Sequence, residues 1–337
     1  MKKLFVAFFA LCFMLFPLAG CGNKGNDGLK TIRVSEVTHS VFYAPMYIAD
    51  AMGYFKEEGL KIDLTNAGGA DNVMASVISN SADIGFCGPE AAMYVHISGS
   101  NDLPMVFGTL TKKDGSFLVS RVNEKENFSF ENLRNKEVLA GRRGGVPAMT
   151  FEYLLKTKYN MVNETDYRMN YDVNFSYMTA AFEGGTADYC TMFEPVASEY
   201  EKQGKGYVVA SVGEAAGEVP YTSYIAKNSY INKNPQVIES FVRAIMKGIH
   251  FVNNNDSQLV AEKLVPYFNG TSLDSLNTSV TNYKRIDAWQ ANMIATQEAY
   301  RNLLNIMNNA GELSKEIEYS ALMKTDIAAS VYNKLFA

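Results

Sequence analysis

Thr31-Ile32-Arg33-Val34-Ser35, Gly59-Leu60-Lys61-Ile62-Asp63-Leu64 and Asp83-Ile84-Gly85-Phe86 are three short runs with the composition of strands, and the chain between them has helical spacing. Tyr43 to Met52 repeats apolar residues at helical intervals and meets Gly53, where a helix would stop. Gly68-Gly69 turns the chain after the second run, and Asp71 can cap a helix that reaches Ile78. After the third run Pro89 stands where the first helical residue should be, a position at which its fixed φ and missing N–H do no harm. This βαβαβα alternation predicts a parallel sheet covered by helices.

The pattern restarts near Arg121. Phe130-Glu131-Asn132-Leu133 leads to a strand over Glu137 to Ala140, a Gly141-Arg142-Arg143-Gly144-Gly145 turn and a helix from Pro147 to Lys156. Further strands are expected at Tyr171 to Tyr177, Asp188 to Phe193 and Gly206 to Ala210, with a short helix at Thr179 to Phe182. Beyond Asn234-Pro235 helical spacing dominates, over Gln236–Asn253, Gln258–Phe268, Asp287–Asn308 and Ser314–Leu335. Two similar α/β units and a helical tail predict two lobes, residues 30–120 with 225–337 and residues 121–224, joined by crossings near Phe117 to Arg121 and Tyr221 to Ile225. Clefts between such lobes hold small molecules.

Residues 1–20 are excluded from the fold. Lys2 and Lys3 precede an apolar run, Leu4 to Leu18, too short to span a bilayer but suited to a secretory leader. Leu18-Ala19-Gly20-Cys21 resembles the bacterial lipobox, which implies lipidation of Cys21, a polar tether over residues 21–29, and a mature chain anchored to the outer face of the cytoplasmic membrane. Losing Lys2 and Lys3 moves the formal charge from −5 to −7, with both signs interspersed, which argues against nucleic acid as a partner. Cys87 and Cys190 are the cysteines left to the body, and with no CxxC or His spacing they are expected to be buried and unpaired, without a metal site.

In open parallel sheets the ligand meets the loops at the carboxyl ends of strands. Those loops contain Thr38, His39, Ser40 and Tyr43 after the first strand, Gly69 after the second, and Cys87, Gly88, Pro89 and Glu90 after the third. The second unit contributes Arg142, Arg143, Gly144, Gly145 and Val146, with Glu194 of Phe193-Glu194-Pro195. Each opens on a helix N-terminus, whose free N–H groups favour an anion or an acceptor-rich ligand. Arg142 and Arg143 could clamp a carboxylate, sulfonate or phosphate, stay solvated, or pair with Glu194. Glu194 offers a buried acceptor for an amino group or a ring N–H. Tyr43, Phe86, Tyr189, Tyr221 and Tyr224 could stack on a flat ligand or simply build core. His39 sits in a site loop, where a hydrogen-bonding role is expected rather than acid-base chemistry. No GxxxxGK[ST], GxGxxG, HExxH or GxSxG motif occurs, and no cofactor or metal is called for.

Ala44-Pro45-Met46-Tyr47-Ile48-Ala49 and Gly53-Tyr54-Phe55-Lys56-Glu57-Glu58-Gly59-Leu60 resemble the opening of the nitrate, sulfonate, taurine and thiamine-pyrimidine-precursor group of ABC-transporter substrate-binding proteins. Ser81-Ala82-Asp83-Ile84-Gly85, Phe130 to Lys136, Gly184-Gly185-Thr186-Ala187-Asp188, Phe193-Glu194-Pro195 and Asn234-Pro235-Gln236-Val237-Ile238 continue the likeness. The resemblance implies a type II periplasmic-binding-protein-like fold, two-lobed and α/β. It also implies a monomer that takes a small molecule in the cleft and hands it to a membrane permease and its ATPase, with no catalysis. The aromatic loops with Glu194 are similar to those of pyrimidine-precursor binders. Arg142-Arg143 departs from the small hydroxylated residues of sulfonate and nitrate binders, which leaves an organic or inorganic anion as the second expectation. Related eukaryotic proteins that make the thiamine pyrimidine carry a cysteine-rich motif, of which only Cys190 remains here.

Overall fold

The computed structural model describes residues 28–336, so the leader, the lipobox with Cys21 and most of the tether lie outside the described residues. Ten strands form two five-stranded sheets. The first holds β1 (Lys30–Glu36), β2 (Leu60–Asn66), β3 (Ile84–Cys87), β4 (Pro104–Thr111) and a late strand; the second holds β5 (Ser116–Ser120), β6 (Glu137–Leu139), β7 (Arg168–Met169), β8 (Tyr189–Phe193) and β9 (Tyr207–Ser211). The late strand, β10 (Thr222–Lys227), lies between β3 and β4 and is antiparallel to both. Strand order is β2-β1-β3-β10-β4 in the first sheet and β7-β6-β8-β5-β9 in the second, the same pattern twice. In each sheet the one reversed strand is the one on which the chain arrives from the other lobe: β5 going out and β10 coming back. The expected parallel sheets are therefore mixed, with that single exception in each.

Periodicity accounts for most elements. In β1, Ile32 and Val34 are buried while Thr31 and Arg33 face solvent, and β3 is buried along its whole length, as a central strand should be. Helix Pro235–Asn254 buries Ile238, Phe241, Val242, Ile245, Met246, Ile249 and Val252 on one stripe and packs on helix Ala44–Ala51. Gly248 permits this approach, because a Cβ there would fall 2.1 Å from the Pro45 carbonyl oxygen. One large core spans both sheets and the tail, and a smaller one around Phe130, Leu133, Val138, Phe151 and Leu154 lies in the second lobe.

The crossings fall earlier than the sequence suggested. β5 already belongs to the second sheet and β10 to the first, and helix Val212–Ala216 still packs in the second lobe's core, so the chain crosses at residues 112–115 and returns at residues 217–221. The two crossings run side by side: Val219 N–H donates to the Lys112 carbonyl and Tyr221 N–H to the Thr111 carbonyl, each at 3.0 Å. Gly213 lies against the Asp114 backbone, where a Cβ would come within 2.1 Å of the Asp114 carbonyl oxygen. The first crossing turns into β5 because Asp114 Oδ1 accepts from both Ser116 N–H (2.7 Å) and Ser116 Oγ–H (2.6 Å).

Three other expectations are corrected. Tyr171 to Tyr177 is not a strand: Asn170 Oδ1 accepts from Asp172 N–H at 3.0 Å and turns the chain away after β7, and a 3-10 turn follows at Phe175–Tyr177. Asp287 to Asn308 is not one helix, because helix Leu273–Arg285 precedes it and residues 287–296 spend their backbone on the edge of β4. There Thr109 N–H donates to the Met293 carbonyl (2.8 Å) and Gln290 N–H to the Leu110 carbonyl (2.8 Å). Ser314 to Leu335 likewise breaks into Tyr319–Leu322 and Asp326–Phe336, with Lys324 N–H donating to the Val106 carbonyl at 2.7 Å.

Candidate ligand-binding site

A cavity of about 160 Å³ lies between the lobes, lined almost entirely by loops at the carboxyl ends of parallel strands. Its room is that of roughly ten water positions, which suits a small molecule and not a peptide. From the first lobe come Val37, Thr38 and Tyr43 after β1, Gly68 to Asn72 after β2, and Gly88 and Glu90 after β3. The second lobe supplies Gly141, Arg142 and Gly145 to Pro147 after β6, Asn174 and Phe175 after β7, and Phe193 at the end of β8, while Tyr221 comes from the end of the return crossing and Thr222 from the start of β10. Helices Ala70–Ile78, Glu90–Ser98 and Val146–Tyr159 all begin at its wall.

Glu90 is the group the cavity leaves unsatisfied. Its side chain is 1% exposed, folds back over Gly88, and has Oε2 without a hydrogen-bond partner. Burial pushes the carboxyl up to about 7, against the opposing pull of Arg142 and of nearby backbone N–H groups. The Tyr221 hydroxyl is also buried and unpartnered, and Tyr43 is buried beside it on the same wall. Phe175 and Phe193 offer apolar faces, their rings 5.9 Å apart and edge to face. Arg142 reaches across the cleft, donating from Nη2 to Asp71 Oδ1 at 2.8 Å and from Nη1 to the Arg143 carbonyl at 3.0 Å. At the rim, Tyr94 Oη donates to the Gly144 carbonyl (2.7 Å) and Ser176 Oγ to the Gly68 carbonyl (3.2 Å), so these two bonds and the Arg142–Asp71 pair bridge the lobes around the cavity.

Of the residues expected from the sequence, Thr38, Tyr43, Gly69, Gly88, Glu90, Arg142, Gly145, Val146 and Tyr221 line this cavity. His39, Ser40 and Glu194 instead line an adjoining groove that shares Thr38, Gly68, Phe175 and Phe193 with it. Cys87 is buried behind the wall, and Pro89 caps the helix that begins at Glu90. Arg143 turns outward, its guanidinium 4.1 Å above the Tyr171 ring, and Gly144 presents its carbonyl to Tyr94. Neither arginine pairs with Glu194. That carboxylate is not free for a ligand either, because it accepts from Ser198 N–H (3.0 Å), Ser198 Oγ–H (2.6 Å) and Asn282 Nδ2–H (2.6 Å). Asn72, Asn174, Phe175 and Thr222 line the cavity without having been singled out. Asn174 and Phe175 were misplaced by the strand expected at Tyr171 to Tyr177, while Thr222 lies beside the chosen Tyr221.

His39 is held by hydrogen bonds within the protein. Nδ1 lies 2.9 Å from Glu36 Oε1 and Nε2 lies 2.9 Å from the Tyr267 carbonyl, so both nitrogens face acceptors, which suits the imidazolium. The Glu36 hydrogen bond raises its pKa above the ordinary 6.5, against partial burial. With the folded value above the unfolded one, this stability is fully present below pH 6.5 and is lost as pH rises through the folded value. Urea unfolding from about pH 6 to about pH 9 is expected to show a fall in stability that is smaller in His39→Gln.

Residues 41–258 match the family model described as NMT1/THI5 like. The chain belongs to that family. The chain is 39% identical over 319 residues to "Putative binding protein YtlA" of Bacillus subtilis (strain 168), covering 95% of this chain and 94% of that protein. It is also 24% identical over 223 residues to 4-amino-5-hydroxymethyl-2-methylpyrimidine phosphate synthase of Aspergillus parasiticus, covering 63% of each chain. The ligand-binding component of an ABC-type import system from Staphylococcus aureus shares the fold of this family member, with a TM-score of 0.73 and 14% identity over 90% of this chain and 99% of that one. The two-lobed α/β architecture read from the sequence is thus that of the type II periplasmic-binding-protein fold.

Proposed function

We propose that this chain is the solute-binding component of an ABC importer, and that its cleft takes a small flat nitrogen heterocycle with N–H donors, of the 4-aminopyrimidine type found in thiamine precursors. The observation that carries the ligand class is Glu90, a buried carboxyl with one unpartnered oxygen, in the lining of a cavity walled also by Tyr43, Tyr221, Phe175 and Phe193. A buried acceptor left unmade is expensive, and an N–H of the exocyclic amino group would satisfy it while the aromatic side chains pack on the heterocycle's faces. An anion placed there would meet Glu90 instead. Likeness to YtlA and to the Staphylococcus aureus import component supports the binding role, and contacts from both lobes give a ligand the means to hold them together. Export and a lipid anchor on Cys21 belong to the same proposal, and Cys21→Ser should release the protein into the medium.

The test of the ligand class is a thermal-shift panel of aminopyrimidines, other heterocycles, sulfonates and nitrate. An aminopyrimidine at about a thousand times its Kd should stabilise the fold by about 4 kcal/mol. A panel in which only the anions shift the melting temperature would reverse the assignment.

A further inference from the structure

We infer that Asp71 sets the charge selectivity of the cavity, by occupying the one cationic side chain among the described residues that line it. This rests on the cavity being the binding site proposed above, although not on the identity of the natural ligand. Arg142 is that cation, and its position is fixed on three sides. Nη2 donates to Asp71 Oδ1 at 2.8 Å, Nη1 donates to the Arg143 carbonyl at 3.0 Å, and its stem lies over Gly145, where a Cβ would fall 3.2 Å from Cγ. The guanidinium fork that would otherwise clamp a carboxylate or sulfonate is already engaged by a carboxylate of the protein.

The helix termini repeat the arrangement. Helices Ala70–Ile78 and Glu90–Ser98 both open on the cavity, where their free N–H groups and dipoles would favour a bound anion. Each carries its own acid in the first turn, Asp71 in one and Glu90 in the other. Of the four features that attract anions, Arg142 and these two helix termini are therefore answered by two carboxylates of the chain, while helix Val146–Tyr159 carries no acid in its first turn. An anionic ligand would have to displace Asp71 from Arg142 and then lie beside it, whereas a ligand with N–H donors meets no such competition.

Asp71 stands on the first lobe and Arg142 on the second, so the pair also bridges the cleft, and the two roles predict opposite results. A bridge alone would make Asp71→Asn weaken every ligand alike. A selectivity role makes it strengthen anions. With Asp71 67% exposed, the pair adds little to stability, so the variant is expected to fold.

The experiment is calorimetric titration of ethanesulfonate into the whole protein and its variants at about 10 mM ionic strength, where charge effects are least screened. At pH 6 the Glu90 carboxyl is mostly protonated and does not mask the change. Asp71→Asn, and Asp71→Ser as a second uncharged variant with a shorter polar side chain, should each bind ethanesulfonate at least about 10-fold more tightly than wild type, the worth of one charge-assisted hydrogen bond. Adding Arg142→Gln should abolish the gain. If either variant melts cooperatively and gains no affinity for ethanesulfonate, or if the gain survives Arg142→Gln, the inference is wrong. Failure of every aminopyrimidine to bind wild type would count against the proposed function and leave this result standing.

Discussion

Glu90→Gln is expected to make the unliganded protein more stable above pH 7 and its ligand weaker. Burial raises the Glu90 carboxyl from 4.5 to about 7, so the folded state penalises its ionisation. The penalty is absent below pH 4.5, grows as the pH rises from 4.5 to 7, and is complete above 7, where it amounts to roughly 3 kcal/mol. Glutamine keeps the shape and removes the charge, so denaturant unfolding at about pH 8 should show most of that energy recovered, with little difference from wild type near pH 4. The same change replaces one acceptor oxygen by an NH₂ group aimed at the ligand's donors, which should weaken binding by about 10- to 100-fold. A residue retained at a cost in stability and needed for binding is what a site group should look like. Lower stability together with unchanged affinity would instead mark Glu90 as structural.

The second large effect lies at Glu194. Its carboxylate holds Ser198 at the start of helix Val196–Lys202 and Asn282 on helix Leu273–Arg285. Its main chain adds two more ties: Ser40 Oγ donates to the Glu194 carbonyl at 2.7 Å, and Glu194 N–H donates to Tyr283 Oη at 2.9 Å. Glu194→Ala strands two side-chain donors and a backbone N–H in a nearly closed environment, and should cost about 3 kcal/mol in urea unfolding. Ligand affinity, measured well below the lowered melting temperature, should change by less than about 3-fold, within 1 kcal/mol. A large loss of affinity with unchanged stability would return Glu194 to the ligand.

These two glutamates show how far the sequence could be read. Both follow a strand, both sit in loops expected to form the site, and both are 1% exposed. What separates them is who uses the oxygens. Glu194 is consumed partly by Ser198, four residues on in the helix that follows it, and partly by Asn282, 88 residues away on a helix that periodicity did not reveal. Arg142 is similar: its loop was legible, but its partner Asp71 lies on the other lobe, where only a capping role was visible. Alternating strand and helix signals give the architecture and the strand-end loops because each depends on local spacing. Residues 287–296 read as helix because their apolar spacing permits it, and pairing with β4 overrides that local preference. The same long-range competition moved the lobe crossings, since nothing local in Ser116–Ser120 says which sheet it joins.

The most direct test is calorimetric titration of thiamine's 4-aminopyrimidine precursor into wild type and Glu90→Gln at pH 8, with ethanesulfonate as the control ligand. Saturable one-site binding of the aminopyrimidine to wild type, weakened about 10- to 100-fold in Glu90→Gln, and no binding of ethanesulfonate to wild type are predicted. Binding of ethanesulfonate to wild type without binding of the aminopyrimidine, or equal aminopyrimidine affinity in both proteins, would contradict the assignment of the cleft.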